Sequence, residues 1–431
     1  MEQMREPQNI DAGATAEKNS SVQTGNNRID ANGNKILNVP NLRFPEFTEE
    51  WVETTIGTIA TVVGGGTPDT TQKENWDGYI RWYTPSEIGK EKYVSNSERR
   101  ITSIGLKNSG AKLLPKGTIL LTSRATIGEC SITIHECATN QGFQSLIANP
   151  VVNNEFLFYL ISSKRRELLK RACGSTFLEI SANEVRKIKM KAPSIEEQNK
   201  ITSLLSLIDE RIATQSRIID KLQSLMGGIN DYLQENIENT ISLSFSEMGE
   251  YYAGLSGKSA NDFGSGKAFV PYTNVYANTF IDEYNLGLVS IQEGERQSKV
   301  HKGDVLFTLS SETPEEVCYG SVYWGEETEL YLNSFCFGVH ITNDKVFSPY
   351  LAYFVNSSRF RKAVYPLAQG STRFNLQKSD FMRKPFHLPS LANQKRIFNI
   401  LKALDKKRQI AQAMLDLYQQ QKEFFLSQMF I

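Results

Sequence analysis

The sequence predicts an α+β protein, built as a tandem repeat of two related α/β domains that alternate with two long helices. The first observation behind this is a repeat. "GSTFLEISANEVRKIKMKAPSIEEQNKI" from Gly174 and "GSTRFNLQKSDFMRKPFHLPSLANQKRI" from Gly370 share Gly-Ser-Thr, and Pro193, Ser194, Gln198 and Ile201 match Pro389, Ser390, Gln394 and Ile397 at a constant offset of 370 − 174 = 196. The second is a heptad seam after each copy. Ile201, Leu205, Ile208, Ile212, Gln215, Ile219, Leu222, Met226, Ile229 and Leu233 follow steps of four and three. The same register returns as Ile397, Leu401, Leu404, Arg408, Ala411, Leu415, Tyr418, Lys422, Phe425 and Met429, with Arg408 and Lys422 intruding. The third is the character of the intervening stretches, where short β-branched and aromatic runs lie between Gly, Pro and Asn, as in small mixed sheets.

Five segments follow in chain order: a polar extension over 1–40, a domain over 41–193, a helix over 194–240, a second domain over 241–389 and a helix over 390–431. The extension is rich in Asn, Gly, Ser and Gln and lacks the apolar run of a signal peptide, so it is expected to be disordered and the protein cytoplasmic. In the first domain "IRWYTPSEI" corresponds to "FVPYTNVY" of the second, with Tyr83-Thr84 set against Tyr272-Thr273. "KGTILLTSRATIG" corresponds to "KGDVLFTLSSETP", and "FLFYLISS" to "YLAYFVNSS". Each helix starts after Pro-Ser, with Ser194 and Ser390 as N-caps and Glu197 at the capping-box position. At about 1.5 Å per residue the 201–233 stretch spans roughly 50 Å, longer than a small domain is wide, so the two seams are expected to bury each other. Gly227-Gly228 inside the first helix suggests a close crossing or a bend.

With 431 residues, 40% hydrophobic, the chain can bury substantial cores, and no apolar run reaches membrane-spanning length. The formal net charge is zero, but the charge is unevenly spread. Residues 155–191 carry 9 − 4 = +5 and residues 359–396 carry 9 − 1 = +8, both beside the repeated segment. Basic surface at equivalent places in a repeat suits phosphate neutralisation in each half. Charge runs are also ordinary solvated faces.

Catalytic patterns are lacking. "GLSGKS" at 254–259 ends like a phosphate-binding loop, but its glycines are too close together. "VVGGGTP" lacks dinucleotide-site spacing, and the four histidines form no H-E-x-x-H pair. His135 between Cys130 and Cys137 admits a metal site on paper. Five cysteines without a C-x-x-C pair point instead to reduced thiols, mostly buried, and no metal is assigned. The chain is expected to bind rather than catalyse.

The "LRFPEF…W" opening at 42–51, "GGGTP", the Gly-Ser-Thr segment leading to P-S-x-x-x-Q, and the duplicated long helix together resemble the DNA-specificity subunit of type I restriction-modification enzymes. The resemblance implies two target-recognition domains, separated by two helices forming an antiparallel coiled coil with pseudo-two-fold repeat, each domain reading one half of a split sequence in double-stranded DNA. It also implies a non-catalytic subunit that recruits two adenine-N6 methyltransferase subunits and, in most systems, two restriction subunits. No cofactor is expected in this chain, with S-adenosylmethionine and ATP belonging to those partners. A methylation-only or type IIB-like system, a coiled-coil scaffold without DNA readout, and a nucleotide-dependent enzyme remain as alternatives.

Loops carrying side chains that can address base edges are the candidate contacts. In the first domain these are Gly65, Gly66, Thr67, Arg81, Trp82, Ser123, Arg124, Thr126, Asn140 and Gln141. In the second they are Ser256, Gly257, Lys258, Tyr272, Asn274, Ser310, Ser311 and Arg373. Arg165, Arg166, Arg186, Lys187, Arg361, Lys362, Arg383 and Lys384 are candidates for phosphate contact or docking.

Overall fold

The computed structural model describes residues 38–174, 178–236 and 240–431. It divides into two units that each take part of both long helices: residues up to Ala213 with Asp416–Ile431, and Thr214–Leu415. The polar extension expected from the sequence falls mostly on residues 1–37, outside the described residues. Its last three residues are packed, however: the Trp51 amide donates to the Asn38 carbonyl, and Val39 and Pro40 are buried.

The first unit contains β1 (Val52–Thr55), β2 (Ala60–Gly64), β3 (Trp76–Tyr83), β4 (Tyr93–Val94), β5 (Arg99–Ile101), β6 (Ile119–Leu121), β7 (Cys130–Thr133), β8 (Cys137–Thr139), β9 (Gln144–Ala148) and β10 (Lys189–Ala192). They form a five-stranded sheet in the order β2-β9-β6-β7-β4, a three-stranded sheet β5-β3-β8, and the pair β1-β10. The second unit contains β11 (Ile241–Ser244), β12 (Gly249–Ala253), β13 (Phe263–Val270), β14 (Gly287–Val289), β15 (Val305–Thr308), β16 (Ser310–Ser311), β17 (Gly320–Val322), β18 (Tyr331–Leu332), β19 (Cys336–Ile341), β20 (Ala368–Gln369), β21 (Phe374–Leu376) and β22 (Pro385–Leu388). Its sheets are β12-β19-β15-β17, β14-β13-β18, β16-β21-β20 and β11-β22.

The duplication extends to register. Ile119 lies opposite Leu146 as Val305 lies opposite Val339. β3 bulges between Trp76 and Ile80 against Ile101, and β13 bulges between Phe263 and Lys267 against Val289. Both β3 and β13 have one parallel neighbour, β8 and β18. Gly117 and Gly303, matched from sequence, both have positive φ (86° and 98°), which glycine adopts without steric cost. One alignment is corrected. The bulge and the parallel pairing set β3 against β13 at an offset of 187, so Tyr83 corresponds to Val270 and Thr84 to Pro271, not to Tyr272 and Thr273.

The recurrent Pro-Ser-x-x-x-Gln is a clamp. In the central helix (Ile195–Glu235), Gln198 accepts from the Asn153 amide and donates to the Pro193 carbonyl, both at 3.0 Å. In the C-terminal helix (Leu391–Met429), Gln394 accepts from the Phe347 amide at 2.8 Å and donates to Pro389 and Lys345 carbonyls at 2.9 Å. Each glutamine thus ties the end of the last strand to the loop before a buried helix, Asn154–Ser163 or Ser348–Phe354. The expected capping box at Glu197 does not form. Its carboxylate is taken by Arg43 in a buried two-point pair, both contacts at 2.7 Å, while Ser194 alone caps the Glu197 amide. This explains the "LRFPEF…W" opening: Leu42 and Phe44 pack on the first core, and Trp51 meets Phe156 and Phe430 edge-on.

Every seam position is buried or half-buried. In the first unit Ile201, Leu205 and Met429 join the core, and Lys422 bonds Asp209 at 2.7 Å. In the second, Ile397 and Leu401 lie in the core with Met226, Ile229 and Leu233 against it, and Gln215 donates to the Ala411 carbonyl at 2.9 Å. Within each unit the pairings run antiparallel, low numbers on one helix facing high numbers on the other. The intruding charges are accommodated, since Arg408 turns back to Asp405 at 2.8 Å and Lys422 neutralises a carboxylate. Gly227 and Gly228 mark no crossing, because a Cβ at either would meet nothing within 4 Å. None of the described helices is long and apolar enough to cross a membrane.

Candidate nucleic-acid interface

In each unit four loops converge beyond the same ends of the same strands. A glycine makes the first approach possible. A Cβ on Gly65 would fall 1.9 Å from the Asn140 carbonyl oxygen, and one on Gly254 would fall 2.0 Å from that of Asn333. The next amide, Gly66 or Leu255, donates to the carbonyl of Thr139 or Leu332. Asn140 and Asn333 then close identical turns, accepting from the Gly142 and Phe335 amides at 2.8 and 2.9 Å. The loop after β6 reaches this place through the Ser123 amide on the Gly142 carbonyl. The repeated Gly-Ser-Thr segment supplies the fourth loop. Cys173 pairs with Glu179, and Glu179 with Arg124; in the second unit β20 pairs with β21, and β21 with β16 at Ser310 and Ser311. Ser175, Thr176 and Phe177 lie outside the described residues. Their counterparts 371–373 form an exposed tip after Gly370, whose φ of 148° and contact with the Arg373 carbonyl admit only glycine.

The candidates therefore separate. Thr67, Arg124, Thr126 and Gln141 lie together at the first loop cluster, where Thr67 donates to Gln141 and Arg124 stands 2.9 Å from Glu179. Ser256, Gly257 and Arg373 are exposed in the second, and Arg373 stacks 5.1 Å over the Phe335 ring. Gly65 and Asn140 are turn-forming framework of that cluster.

Other candidates are corrected by burial or by hydrogen bonds within their own unit. Gly66 is closed in by Gly110 and Ala111, and Trp82 is buried, donating to the Gly66 carbonyl at 3.0 Å. Ser123, Ser310 and Ser311 are buried, the Ser311 hydroxyl spent on Glu316. Asn274 is fully buried, with its amide shared among Asp282, Asn285 and Asn278. Tyr272 is bonded to the Ser310 carbonyl at 2.7 Å, and Arg81 to that of Ser95 at 2.6 Å. Lys258 is a buried tether to Ser290 and Glu295, both at 2.6 Å. That bond, with those from Gln292 and Gln297, pulls the Glu295 carboxyl down to about 2.

Among the cations, Arg361 is structural: it donates to the carbonyls of Glu315, Val317 and Cys318 and stacks on Tyr319 at 4.4 Å. Arg165 pairs with Glu129, Lys187 with Glu184, and Arg383 with Asp380, while Arg186 bonds Asn183 and the Val62 carbonyl. Lys384 is half-buried, and Arg166 and Lys362 stand exposed. Sequence reasoning missed Phe335, which faces Arg373, and Lys378, which lies 4.6 Å over the ring of exposed Tyr251. The Asn333–Phe335 turn could have been found by aligning it with Asn140–Gly142.

A duplicated α/β scaffold with a long helix after each copy is what the comparisons match. The sequence profile described as "type I restriction modification DNA specificity domain" fits residues 48–224 and again 247–416. The chain belongs to this type I DNA-specificity family. A 181-residue stretch is 40% identical to the type I restriction enzyme MjaIX specificity subunit of Methanocaldococcus jannaschii, covering 40% of this chain and 42% of that one. A 204-residue stretch is 29% identical to the EcoR124I/EcoR124II specificity subunit of Escherichia coli, covering 46% of each chain. The matched stretches thus span less than half the length of these two relatives. The solved S subunit of a type I system from M. genitalium shares the fold at TM-score 0.52 and 16% identity, over 91% of this chain and 99% of that one.

Proposed function

We propose that this specificity-family chain reads a bipartite DNA target, one half-site per unit, and carries that selectivity to adenine-N6 methyltransferase and restriction subunits without itself catalysing a reaction. The observation that supports it is the pair of equivalent loop clusters with different occupants. Where the first unit offers Thr67, Arg124 and Gln141, the second offers Ser256, Arg373 and Phe335 on the same framework. Different donors, acceptors and aromatic faces on one scaffold select different base edges. S-adenosylmethionine and ATP chemistry is assigned to the partner subunits. Cytoplasmic location follows from that role.

The test is a swap. Residues 241–389 are replaced by the equivalent segment of another specificity-family chain, the hybrid is expressed with its methyltransferase, and methylated adenines are mapped across the genome by single-molecule sequencing. One half of the methylated motif should change and the other persist. A change in both halves, or in neither, refutes one reader per unit. A methylation-only system is separated from a restricting one by phage challenge of the same strain.

A further inference from the structure

Superposing the two units by strand register exposes a group that only one possesses. Asp304 precedes β15 as Thr118 precedes β6, and His340 follows Val339 as Ile147 follows Leu146. By the first of these offsets His301 corresponds to Pro115, and Tyr252, two residues before Gly254, corresponds to Val63, two before Gly65. The first unit closes this end of its sheet with a Thr118 hydroxyl donating to the Pro115 carbonyl at 2.7 Å. The second closes the same turn with a buried carboxylate. Its Oδ2 accepts from the Tyr252 hydroxyl and the His301 amide, both at 2.7 Å, and its Oδ1 lies 2.8 Å from His340 Nδ1. Tyr252 stacks on the His340 ring at 4.2 Å, and the two imidazoles lie 4.7 Å apart.

The turn does not require this set, as the first unit demonstrates with Thr, Pro, Ile and Val. A buried carboxylate carries a desolvation cost that a threonine avoids. We propose that His301, Asp304 and His340 form a binding site for a divalent transition-metal ion of the zinc class. One nitrogen from each histidine and an Asp304 oxygen lie mutually within 4.8 Å. Two ligand atoms about 2.0–2.1 Å from zinc at a tetrahedral angle are roughly 3.3 Å apart, so the 2.8 Å His340–Asp304 contact opens by about half an ångström when the ion replaces the shared proton. Tyr252 and the His301 amide hold the other carboxylate oxygen, fixing the ligand's orientation as outer partners do in built metal sites. Imidazole and carboxylate donors favour Zn²⁺, Ni²⁺ or Co²⁺ over Mg²⁺ or Ca²⁺. The site lies at the end of the β12-β19-β15-β17 sheet away from the candidate DNA loops, since those loops follow β15 and precede β19. It therefore pins the second unit's scaffold rather than touching bases.

The untagged full-length chain, carrying Cys173→Ser to remove its exposed thiol, is stripped with chelator and titrated with Zn²⁺ by calorimetry. About one ion per chain should bind, and His301→Ala/His340→Ala should weaken binding at least tenfold. Should that variant fail to fold, imidazole NMR of the Cys173→Ser chain decides: Zn²⁺ should shift two of the four histidine rings, leaving His135 and His387 unmoved. Absence of saturable binding near equimolar ion, retention by the double variant, or shifts at His135 or His387 instead would overturn the site.

Discussion

Replacing Gln394 with alanine tests whether the recurrent glutamine is a structural clamp. The side chain is fully buried, and truncation leaves three main-chain groups without it: the Phe347 N–H and the carbonyls of Pro389 and Lys345. An orphaned buried group costs about 1–3 kcal/mol, and carbonyls with residual contacts fall at the low end, so the sum is about 3–5 kcal/mol. For a unit of roughly 200 residues, each kcal/mol lowers the melting midpoint by about 2–4 °C, giving a fall of about 6–20 °C. Gln198→Ala, which forfeits two such bonds, should cost about 1 kcal/mol less. Gln394→Glu is the sharper variant. Its carboxylate can accept from Phe347 but faces two carbonyls with no proton to give, so it should be no better than alanine. Calorimetric melting of the full chain reads all three. A Gln394→Ala loss below about 1 kcal/mol, or full stability in Gln394→Glu, would refute the clamp.

Gly227→Ala/Gly228→Ala should stabilise the free chain by up to about 2 kcal/mol, since both positions are helical and open, and denaturant unfolding measures it. Burial pushes the Cys130 and Cys137 thiols up to about 12 and raises those of Cys318 and Cys336, so a thiol reagent should modify Cys173 alone in the native chain. Burial pushes the Glu155 carboxyl up, but bonds from Lys92, Tyr93 and Ser206 outweigh it and hold the group below its usual range. A depressed carboxylate stabilises above its unfolded value and loses that contribution as pH falls through the folded one, so Glu155→Gln should flatten the loss of stability below about pH 4.5. Arg373→Ala should relax preference at one position of one half-site, seen as a broadened motif in the methylome, whereas Lys362→Ala should weaken binding to all sequences and lower its salt dependence.

How much of this was legible in the sequence depended on whether a residue's role is periodic or positional. The seams were legible because burial on a long helix recurs every three to four residues, and even Arg408 and Lys422 kept the register, each with a nearby carboxylate. The clamp glutamines were visible as repeats, although only the fold gives them a reason. The candidate interface was half legible. Gly65, Thr67, Arg124, Asn140 and Gln141 reach one loop cluster because the loops after β2 and β6 and the loop before the antiparallel β9 between them emerge at one end of the sheet. Trp82, Asn274, Lys258 and Arg361 misled because a side-chain N–H satisfies main-chain carbonyls as readily as it meets a base. The Tyr-Thr pairing failed through a two-residue shift, since β-strand identity is carried by the bulge and the parallel partner rather than by letters. The His301–Asp304–His340 group left no linear trace at all. Its members come from one turn and one strand end, and what distinguishes them is comparison with Pro115, Thr118 and Ile147 at the same places in the first unit. A duplicated fold thus supplies its own control: the first unit closes the same turn with Thr118, so the buried Asp304 carboxylate and its two imidazoles are not a requirement of the turn itself.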